Sequence, residues 1–479
     1  MAITKKIEPQ IFTSVYNEIV LVLDSDKKTE TNFQYLVDIN VDSVFKSRLK
    51  VSSNPDGFAV IDLHKHVEPF ITFNIDHDNT TLFQTMPDSF KEYDVTLSES
   101  YVDILSFTAV TNNAGFAQYS STTEHRFVVG DEVNVSGSTD SSYNGLQTIT
   151  SANTFSLTTD KTFSATASGT TFLSDGSSSI FSSATSFSAT TYAVNSVLDW
   201  KDVPEWDFTV HQLTTATTGS FLSTLPSTSN DIFLTDRFWS NFFFDVDNSA
   251  RFLEVISNNG TFRIGNGLNT ASEANRFQTV GLGPWNLNNT TSPVTVLSGA
   301  LPIIDSATTQ YTATLINSSN FAATSETFIF NMKPNPCNKY EEFRMIYLDS
   351  FGSFLNVTFS LVHNSNVNVA RKTYKSNFGN YNSTTNIWGY NSFDRGKKHL
   401  DSQVTESFTI TSDWINESTG NQIIDLIKSP EVYHLDESGV LLAVNILTNS
   451  IRVKQRVVDR TINYTIRFEH SFNNSIQRG

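Results

Sequence analysis

The segment NKYEEFRMIYLDSFGSFLNVTFSL, from Asn338 to Leu361, decides the fold class of this chain. Two apolar runs flank a short turn at 350–353, and aromatic residues crowd both sides of that turn. Runs of this length around a turn of Ser and Gly are typical of an antiparallel β-hairpin. The segment therefore predicts a hairpin, and it raises the question whether such hairpins support a catalytic site or are themselves what the protein contributes.

The composition of the whole chain also favours strands. The chain has 479 residues, of which 38% are hydrophobic and 17% are charged, and 38 of its residues are Phe. Domains usually hold about 100 to 150 residues, so a chain of this length is expected to form three or four domains. Phe set among Ser, Thr and Asn suits strands that have one face in a core and the other in water.

Residues 1–104 alternate between apolar and polar positions with the period of a strand. The clearest runs are NEIVLVLDS (17–25), NFQYLVDINVD (32–42) and KSRLKVSS (46–53). Polar turns separate these runs, and NPDG at 54–57 marks a further turn. The pattern predicts an N-terminal antiparallel β-sandwich over residues 1–104.

Residues 105–190 are dominated by Ser, Thr, Ala and Gly. Short apolar runs interrupt this composition at 125–137 and 143–153, and each contains a turn signal. We expect a small β-barrel module here, inserted between two strands of its host, because modules with neighbouring termini are inserted at little cost.

Two further β domains are predicted, a middle β-sandwich over 191–335 and a C-terminal domain over 336–479. One short helix is expected near 414–428, with Asp413 capping its start and Pro430 ending it. The apolar residues expected to pack onto a sheet are Trp414, Ile423, Leu426 and Ile427. The predicted fold class is all-β: tandem antiparallel β-sandwich domains with a small inserted β-barrel module and one short C-terminal helix.

The charge of the chain argues against a direct nucleic-acid grip, since a net charge of −17 repels phosphates. We interpret the densest basic cluster, Arg395, Lys397 and Lys398 with His399, as a solvated turn. The single cysteine, Cys337, excludes an intramolecular disulfide and is interpreted as an inert thiol. We expect neither a signal peptide nor a membrane span.

Three histidines could in principle bind a metal. His64 and His66 would share one face of a strand, and His77 lies nearby with Asp76 and Asp78. Nothing in their spacing requires a third ligand to converge, so we interpret them as surface histidines. We predict no metal and no cofactor.

Catalytic signals are absent from the sequence. Glu341, Glu342 and Glu205 are the carboxylates weighed for glycosidase chemistry, but adjacent residues on a strand point to opposite faces, so the first two cannot act together. No nucleophile elbow, phosphate-binding loop or zinc-protease motif occurs. We therefore predict no catalytic residues and no enzyme activity.

Some aromatic residues could serve recognition instead. The candidates are Trp388, Tyr390, Trp239 and Phe242–Phe244, which could stack on a sugar or on a partner protein. Each lies in an alternating run, so core or interface packing is the favoured interpretation.

In the C-terminal third, the positions that form a pattern around the first hairpin are Cys337, Tyr340, Asp349, Gly352, Asn356, Thr358 and Phe359. This pattern resembles a family of minor structural proteins from tailed bacteriophages of marine and Bacteroidetes hosts, crAss-like phages among them. Asp349 stands where the family often has Asn. Later matches are Trp414 before the short helix and the run Ser429, Pro430, Val432 and Tyr433; in the N-terminal domain they are Asn54, Pro55, Asp56, Gly57 and Asp62. The resemblance covers residues 15–103 and 336–475.

The resemblance implies a structural subunit of a tailed-phage virion, made in the host cytoplasm and assembled as a ring or hub in the tail or head-to-tail junction. Its expected partners are copies of itself and other tail or neck proteins. The alternative is a tail-fibre adhesion protein that contacts host surface glycans, and a glycoside hydrolase is less favoured. On this view the opening hairpin is itself the product, because neighbouring copies can share sheet edges and bury Phe-rich patches.

Overall fold

The computed structural model describes residues 3–30, 32–73, 75–101, 104–122, 124–125, 127–174, 179–203, 206–214, 218–228, 230–244, 251–268, 276–334, 341–415, 417–451, 463–472 and 474–475. Strands account for 51% of the structure and helices for 7%. The predicted all-β class is confirmed. No helix in these described ranges is long and apolar enough to cross a membrane.

The strands follow in chain order. The first are β1 (Ile3–Ile7), β2 (Phe12–Ser14), β3 (Val20–Ser25), β4 (Gln34–Val41), β5 (Val44–Val51), β6 (Ala59–Asp62), β7 (Phe83–Thr85), β8 (Phe90–Tyr101), β9 (Ile104–Asn113), β10 (Phe116–Ser120), β11 (Glu132–Ser136), β12 (Gly145–Asn153), β13 (Ser156–Thr162), β14 (Ala167–Ser174), β15 (Ser179–Thr185) and β16 (Thr191–Val194).

The remaining strands are β17 (Gln212–Leu213), β18 (Asn230–Ile232), β19 (Trp239–Phe244), β20 (Arg251–Ser257), β21 (Gly260–Gly265), β22 (Phe277–Gly281), β23 (Val294–Gly299), β24 (Gln310–Asn317), β25 (Ala323–Met332), β26 (Phe343–Leu348), β27 (Phe354–Phe359), β28 (Asn364–Lys375), β29 (Asn380–Asn382), β30 (Ile387–Gly389), β31 (Lys397–Thr411), β32 (Val432–Leu435), β33 (Leu441–Ile446), β34 (Thr465–His470) and β35 (Asn474–Ser475). The helices are α1 (His64–Val67), α2 (Pro284–Asn288) and α3 (Glu417–Lys428), with 3-10 turns at Glu68–Phe70, Ser141–Tyr143 and Phe208–His211.

The first of two compact units comprises residues 1–72 and 90–194. A three-stranded sheet, β1-β3-β6, and a sheet of order β2-β16-β8-β4-β5 share one core, as expected for a sandwich. Alternate residues of β3 and β4, such as Leu21, Leu23, Val37 and Ile39, are buried in it, because successive strand residues point to opposite faces.

A closed barrel of order β10-β13-β12-β11-β14-β9 lies between β8 and β16 in the chain. β8 and β16 pair antiparallel, with Thr191 opposite Tyr93, so the chain leaves the sandwich and returns to it beside the strand it left. The barrel has its own small core, which includes Phe107, Tyr119, Val133 and Ile149. This is the expected geometry of an inserted module.

The second unit comprises residues 73–89 and 195–479. Its 12-stranded sheet contains the path β28-β31-β34-β33-β32-β26-β27-β19-β22-β7, and its six-stranded sheet has the order β18-β25-β24-β20-β21-β23. The sequence placed a domain boundary at 335/336, but the larger sheet takes strands from both sides of it, since Trp239 of β19 pairs with Phe354 of β27. Pairing over such a separation leaves no local signal in the sequence.

The helix α3 begins later than the sequence predicts. Asp413 does not cap it, because its Oδ1 accepts a hydrogen bond from the N–H of the adjacent Trp414 at 2.7 Å and the helix starts at Glu417. Trp414 is exposed, so its predicted packing onto a sheet is wrong. Ile423 and Leu426 are buried as expected, because they lie three residues apart on the same helix face.

The opening hairpin is confirmed. β26 and β27 pair from Phe343 opposite Phe359 to Leu348 opposite Phe354. At the turn, Gly352 has φ +78°, and a Cβ there would lie 2.6 Å from the carbonyl oxygen of Asn195. Only glycine suits that combination of dihedral angle and close approach.

Candidate functional site

The long hairpin of β28 and β31 is the most unusual feature of the second unit. The two strands stay in register from Asn364 opposite Thr409 to Lys375 opposite Lys397. β34 pairs only with residues 407–411 of β31, and β35 only with residues 403–404. Residues 371–375 and 397–402 are therefore a two-stranded ribbon in the described structure, and we call residues 364–411 the arm.

Almost every residue of β28 is exposed, and so are the first four of β31. An isolated two-stranded hairpin is at best marginally stable in water, because it has no third strand or helix to bury a face. Among the described residues, the part of the arm that does not pair with β34 or β35 has neither a third strand nor a helix to bury one of its faces. A further surface that covered these strands would stabilise them.

The end of the arm, residues 376–396, is ordered by its own aromatic side chains and is called the tip. Phe378 lies 5.7 Å from Trp388 and 5.2 Å from Tyr390, measured between ring centroids. Trp388 is nevertheless 52% exposed, Tyr390 62% and Phe393 78%. A cluster of large apolar side chains held together in water is typical of an interaction surface.

The arm has the opposite charge to the rest of the chain. It contains six basic residues, Arg371, Lys372, Lys375, Arg395, Lys397 and Lys398, against three acidic ones, Asp394, Asp401 and Glu406. Its net charge is +3, and since the whole chain carries −17, all other residues together carry −20. Among the described residues, none of the six cations forms an ion pair.

The structure separates the aromatic candidates into two groups. Trp388 and Tyr390 lie at the tip beside the basic cluster of Arg395, Lys397 and Lys398. Trp239 and Phe242–Phe244 are buried in the core. The first group can contact a partner, whereas the second cannot.

A half-open cleft of about 580 Å³ is a second feature of the same unit. Its lining residues are Val197, Leu198, Asp199, Asp202, Trp206, Ser223, Thr224, Leu348, Asp349, Ser350, Phe351, Asp425, Lys428, Ser429 and Pro430. Its exposed carboxylates, Asp199 and Asp202, outnumber its one ammonium group, that of Lys428, and make its mouth anionic. The rings of Trp206 and Phe351 stack at 5.2 Å on its wall, and no hydrogen-bond partner is described for the buried indole N–H of Trp206.

Asp349 holds the hairpin turn beneath the cleft. Its Oδ1 accepts hydrogen bonds from the N–H groups of Phe351 at 2.9 Å and Ser353 at 2.7 Å, and its Oδ2 accepts from the N–H of Thr224 at 2.9 Å. Burial raises the pKa of this carboxyl to about 7, because loss of water outweighs these hydrogen bonds. Burial also raises the pKa of Asp425, and the nearby charge of Lys428 partly offsets this rise.

No family model matches the chain. No curated protein matches it either. One solved structure, of a membrane anchored protein from Corynebacterium diphtheriae, aligns over 89% of this chain and 94% of that chain with 8% sequence identity and a TM-score of 0.13. A likeness this weak carries no argument about fold or function.

The candidate metal ligands do not converge. His64 and His66 lie in the single turn of α1 rather than on a strand, and His64 Nδ1 is 2.5 Å from Asp62 Oδ2. His77 belongs to the second unit and is buried, with its ring 4.5 Å from that of Phe354, so its predicted surface position is wrong. The described residues contain no group of three or more His, Cys, Asp or Glu that could hold a metal.

The glutamates weighed for glycosidase chemistry do not form a pair. Glu342 makes an ion pair with Arg344 at 2.9 Å, whereas Glu341 lies 3.9 Å from His363. Glu205 and Cys337 lie outside the described residues. The acidic cleft was missed, although the density of Asp and Trp in LDWKDVPEWD (198–207) was a signal for part of it.

A buried histidine in the larger sheet gives a pH prediction. Burial lowers the pKa of His434 to about 4, mainly through desolvation and next through the neighbouring His470. Arg344 lowers this pKa a little further, whereas Asp436 raises it. Between about pH 6.5 and this value the unfolded chain binds a proton that the folded chain does not, so stability falls as the pH falls through that window. In the variant His434→Phe this difference in proton binding is absent. The slope of unfolding free energy against pH should therefore be smaller in this window, by the equivalent of about one proton.

Urea unfolding at a series of pH values across this window checks the prediction. Phe suits the site because neither ring nitrogen of His434 has a described hydrogen-bond partner and the ring stacks on Phe343 at 4.7 Å. An unchanged slope would contradict the assignment.

Proposed function

We propose that this chain is a structural subunit of a tailed-phage virion that assembles with copies of itself into a ring or hub, in the tail or at the head-to-tail junction. The observation that carries the proposal is the arm. A ribbon exposed on both faces, with apolar side chains at its end, gains stability when another surface covers it. The placement in a virion rests on the resemblance of residues 15–103 and 336–475 to phage structural proteins.

The charge distribution supports self-association in particular. A basic arm on an acidic body attracts the body of another copy, and such complementarity also fixes the orientation of the partners. The arm of one copy contacts a different patch on the next copy, so the contact is heterologous. Such contacts add copies one after another until the assembly closes into a ring.

A tail-fibre adhesion protein is the second candidate, favoured by the exposed rings of Trp388 and Tyr390, which could stack on a sugar. A glycoside hydrolase is less favoured, because Glu341 and Glu342, the described carboxylates weighed for that chemistry, lie against different partners, His363 and Arg344. A free pair of carboxylates is what that chemistry requires.

The mass of the purified chain, measured by sedimentation velocity over a range of protein and salt concentrations, tests the proposal. We expect assemblies of about six or more subunits of 53.4 kDa that dissociate as salt is added, because salt screens exposed charges. A stable trimer would favour the fibre candidate. A monomer of 53.4 kDa under all conditions would contradict self-assembly.

A further inference from the structure

We propose that the acidic cleft of one subunit receives the tip of the arm of a second copy of this chain. The inference rests on the proposed function and deepens it, since it names the surface that the arm binds. The occupant is the tip together with the strand residues that adjoin it. Arg395 of the tip and Lys397 and Lys398 at the start of β31 are its charged contacts, and Phe393 is its most exposed apolar side chain.

Charge complementarity is the first argument. Asp199 and Asp202 are exposed at the cleft, Asp349 and Asp425 lie deeper, and Lys428 is the one basic residue among those lining it. The arm cations have no ion pair within the described residues of their own chain. The cations of the arm can therefore form ion pairs with the carboxylates of the cleft when two copies of the chain meet.

The register of the arm adds a second argument. Lys375 of β28 stands directly opposite Lys397 of β31, and Tyr374 stands opposite Lys398. Like charges directly opposite each other on antiparallel strands destabilise the pairing. A neighbouring cluster of carboxylates removes that repulsion, so the ribbon end is more stable when bound than when free.

The wall of the cleft supplies a third argument. Trp206 and Phe351 present stacked aromatic rings, and the guanidinium group of arginine stacks favourably on such rings. A volume of about 580 Å³ accommodates a few large side chains, as the tip of a hairpin requires, rather than a whole domain.

The topology makes the contact repeat. The arm leaves the edge of the 12-stranded sheet through β28 and β31, whereas the cleft is built from the β26–β27 turn, residues 197–202 with Trp206, and α3. Each subunit therefore offers one tip and one cleft. Insertion of each tip into the next cleft gives a closed ring if the rotation closes and a filament if it does not.

A charge exchange between two variants tests the inference. The arm variant carries Lys397→Glu and Lys398→Glu, and the cleft variant carries Asp199→Lys and Asp202→Lys, all at exposed positions. Neither variant should assemble alone, because arm and cleft then carry the same sign. Their equimolar mixture should assemble, since the acidic arm of the first fits the basic cleft of the second, and the native arm of the second fits the native cleft of the first.

Matched controls change the same number of charges elsewhere. Lys50→Glu with Lys65→Glu, and Glu124→Lys with Glu132→Lys, alter exposed residues of the first unit and should assemble as the native chain does. We expect the concentration for half-maximal assembly to rise by about 100-fold or more in each test variant, and to return to within about tenfold of the native value in the mixture.

The outcomes separate the two proposals. A native chain that stays monomeric overturns the proposed function. A cleft variant that assembles as readily as the native chain overturns only the cleft as receiver and assigns the arm to another partner surface. The cleft as receiver is also overturned if both variants fail to assemble and their mixture does not recover assembly. An equal loss of assembly in the control variants overturns it too.

Discussion

Replacement of the tip, residues 376–396, by a two-residue Asn-Gly turn is expected to abolish assembly and to leave the subunit folded. The register of the arm ends with Lys375 opposite Lys397, and Asn-Gly is the preferred sequence for joining two such strands. The described rings of the tip stack on each other and not on the core. Its loss should therefore change the unfolding free energy by less than about 1 kcal/mol.

The effect on assembly should be large because the tip concentrates residue types that dominate binding at interfaces, namely Trp, Tyr and Arg. We expect the concentration for half-maximal assembly to rise by about 100-fold or more, which sedimentation velocity measures directly. The control replaces exposed apolar residues of the barrel, Phe116→Ser with Phe155→Ser, and should assemble normally. Assembly of the truncated chain at native concentrations would contradict a role for the tip.

Substitution of Asp349 by Ala is expected to be the most destabilising single change at the cleft. It removes the acceptors of three backbone N–H groups, from Thr224, Phe351 and Ser353, in a buried setting. Each buried donor left without an acceptor costs about 1–3 kcal/mol, so we expect a loss of about 3–5 kcal/mol in unfolding free energy. Urea unfolding of the isolated subunit measures it.

The matched control is Asp349→Asn. Its side-chain oxygen can still accept from Phe351 and Ser353, whereas its amide group cannot accept from Thr224, so we expect a loss of about 1–2 kcal/mol. If the Ala variant were as stable as the native chain, the carboxylate would not be what holds this turn. Asp349 would then also not be what fixes the floor of the cleft.

The features that the sequence predicts correctly are local ones. The opening hairpin was predictable because Phe343–Leu348 and Phe354–Phe359 are apolar runs on either side of a turn that requires Gly352. The inserted barrel was predictable for the same reason, since Ile149 and Leu157 lie in neighbouring strands of one local hairpin. In both of these hairpins the paired residues lie within 16 positions of one another in the sequence.

The candidate site depends on contacts that no local pattern records. Asp349 and Thr224 are 125 residues apart in sequence, and the third element of the cleft, α3, comes from yet another region. The arm was missed for a different reason. Alternation in NSNVNVARKTYK (364–375) is the same in a half-buried strand and in a free ribbon, so the exposure of Val367 and Tyr374 depends on what the fold leaves uncovered.

Hydrogen exchange of the arm's backbone amides is the measurement that tests the central claim most directly. The claim is that the ribbon of β28 and β31 is covered by another copy. Amides of residues 371–375 and 397–402 should exchange rapidly in the dissociated subunit, since a two-stranded ribbon opens readily, and slowly in the assembly. Equal exchange of these amides in both states, with the mass confirming assembly, would contradict it.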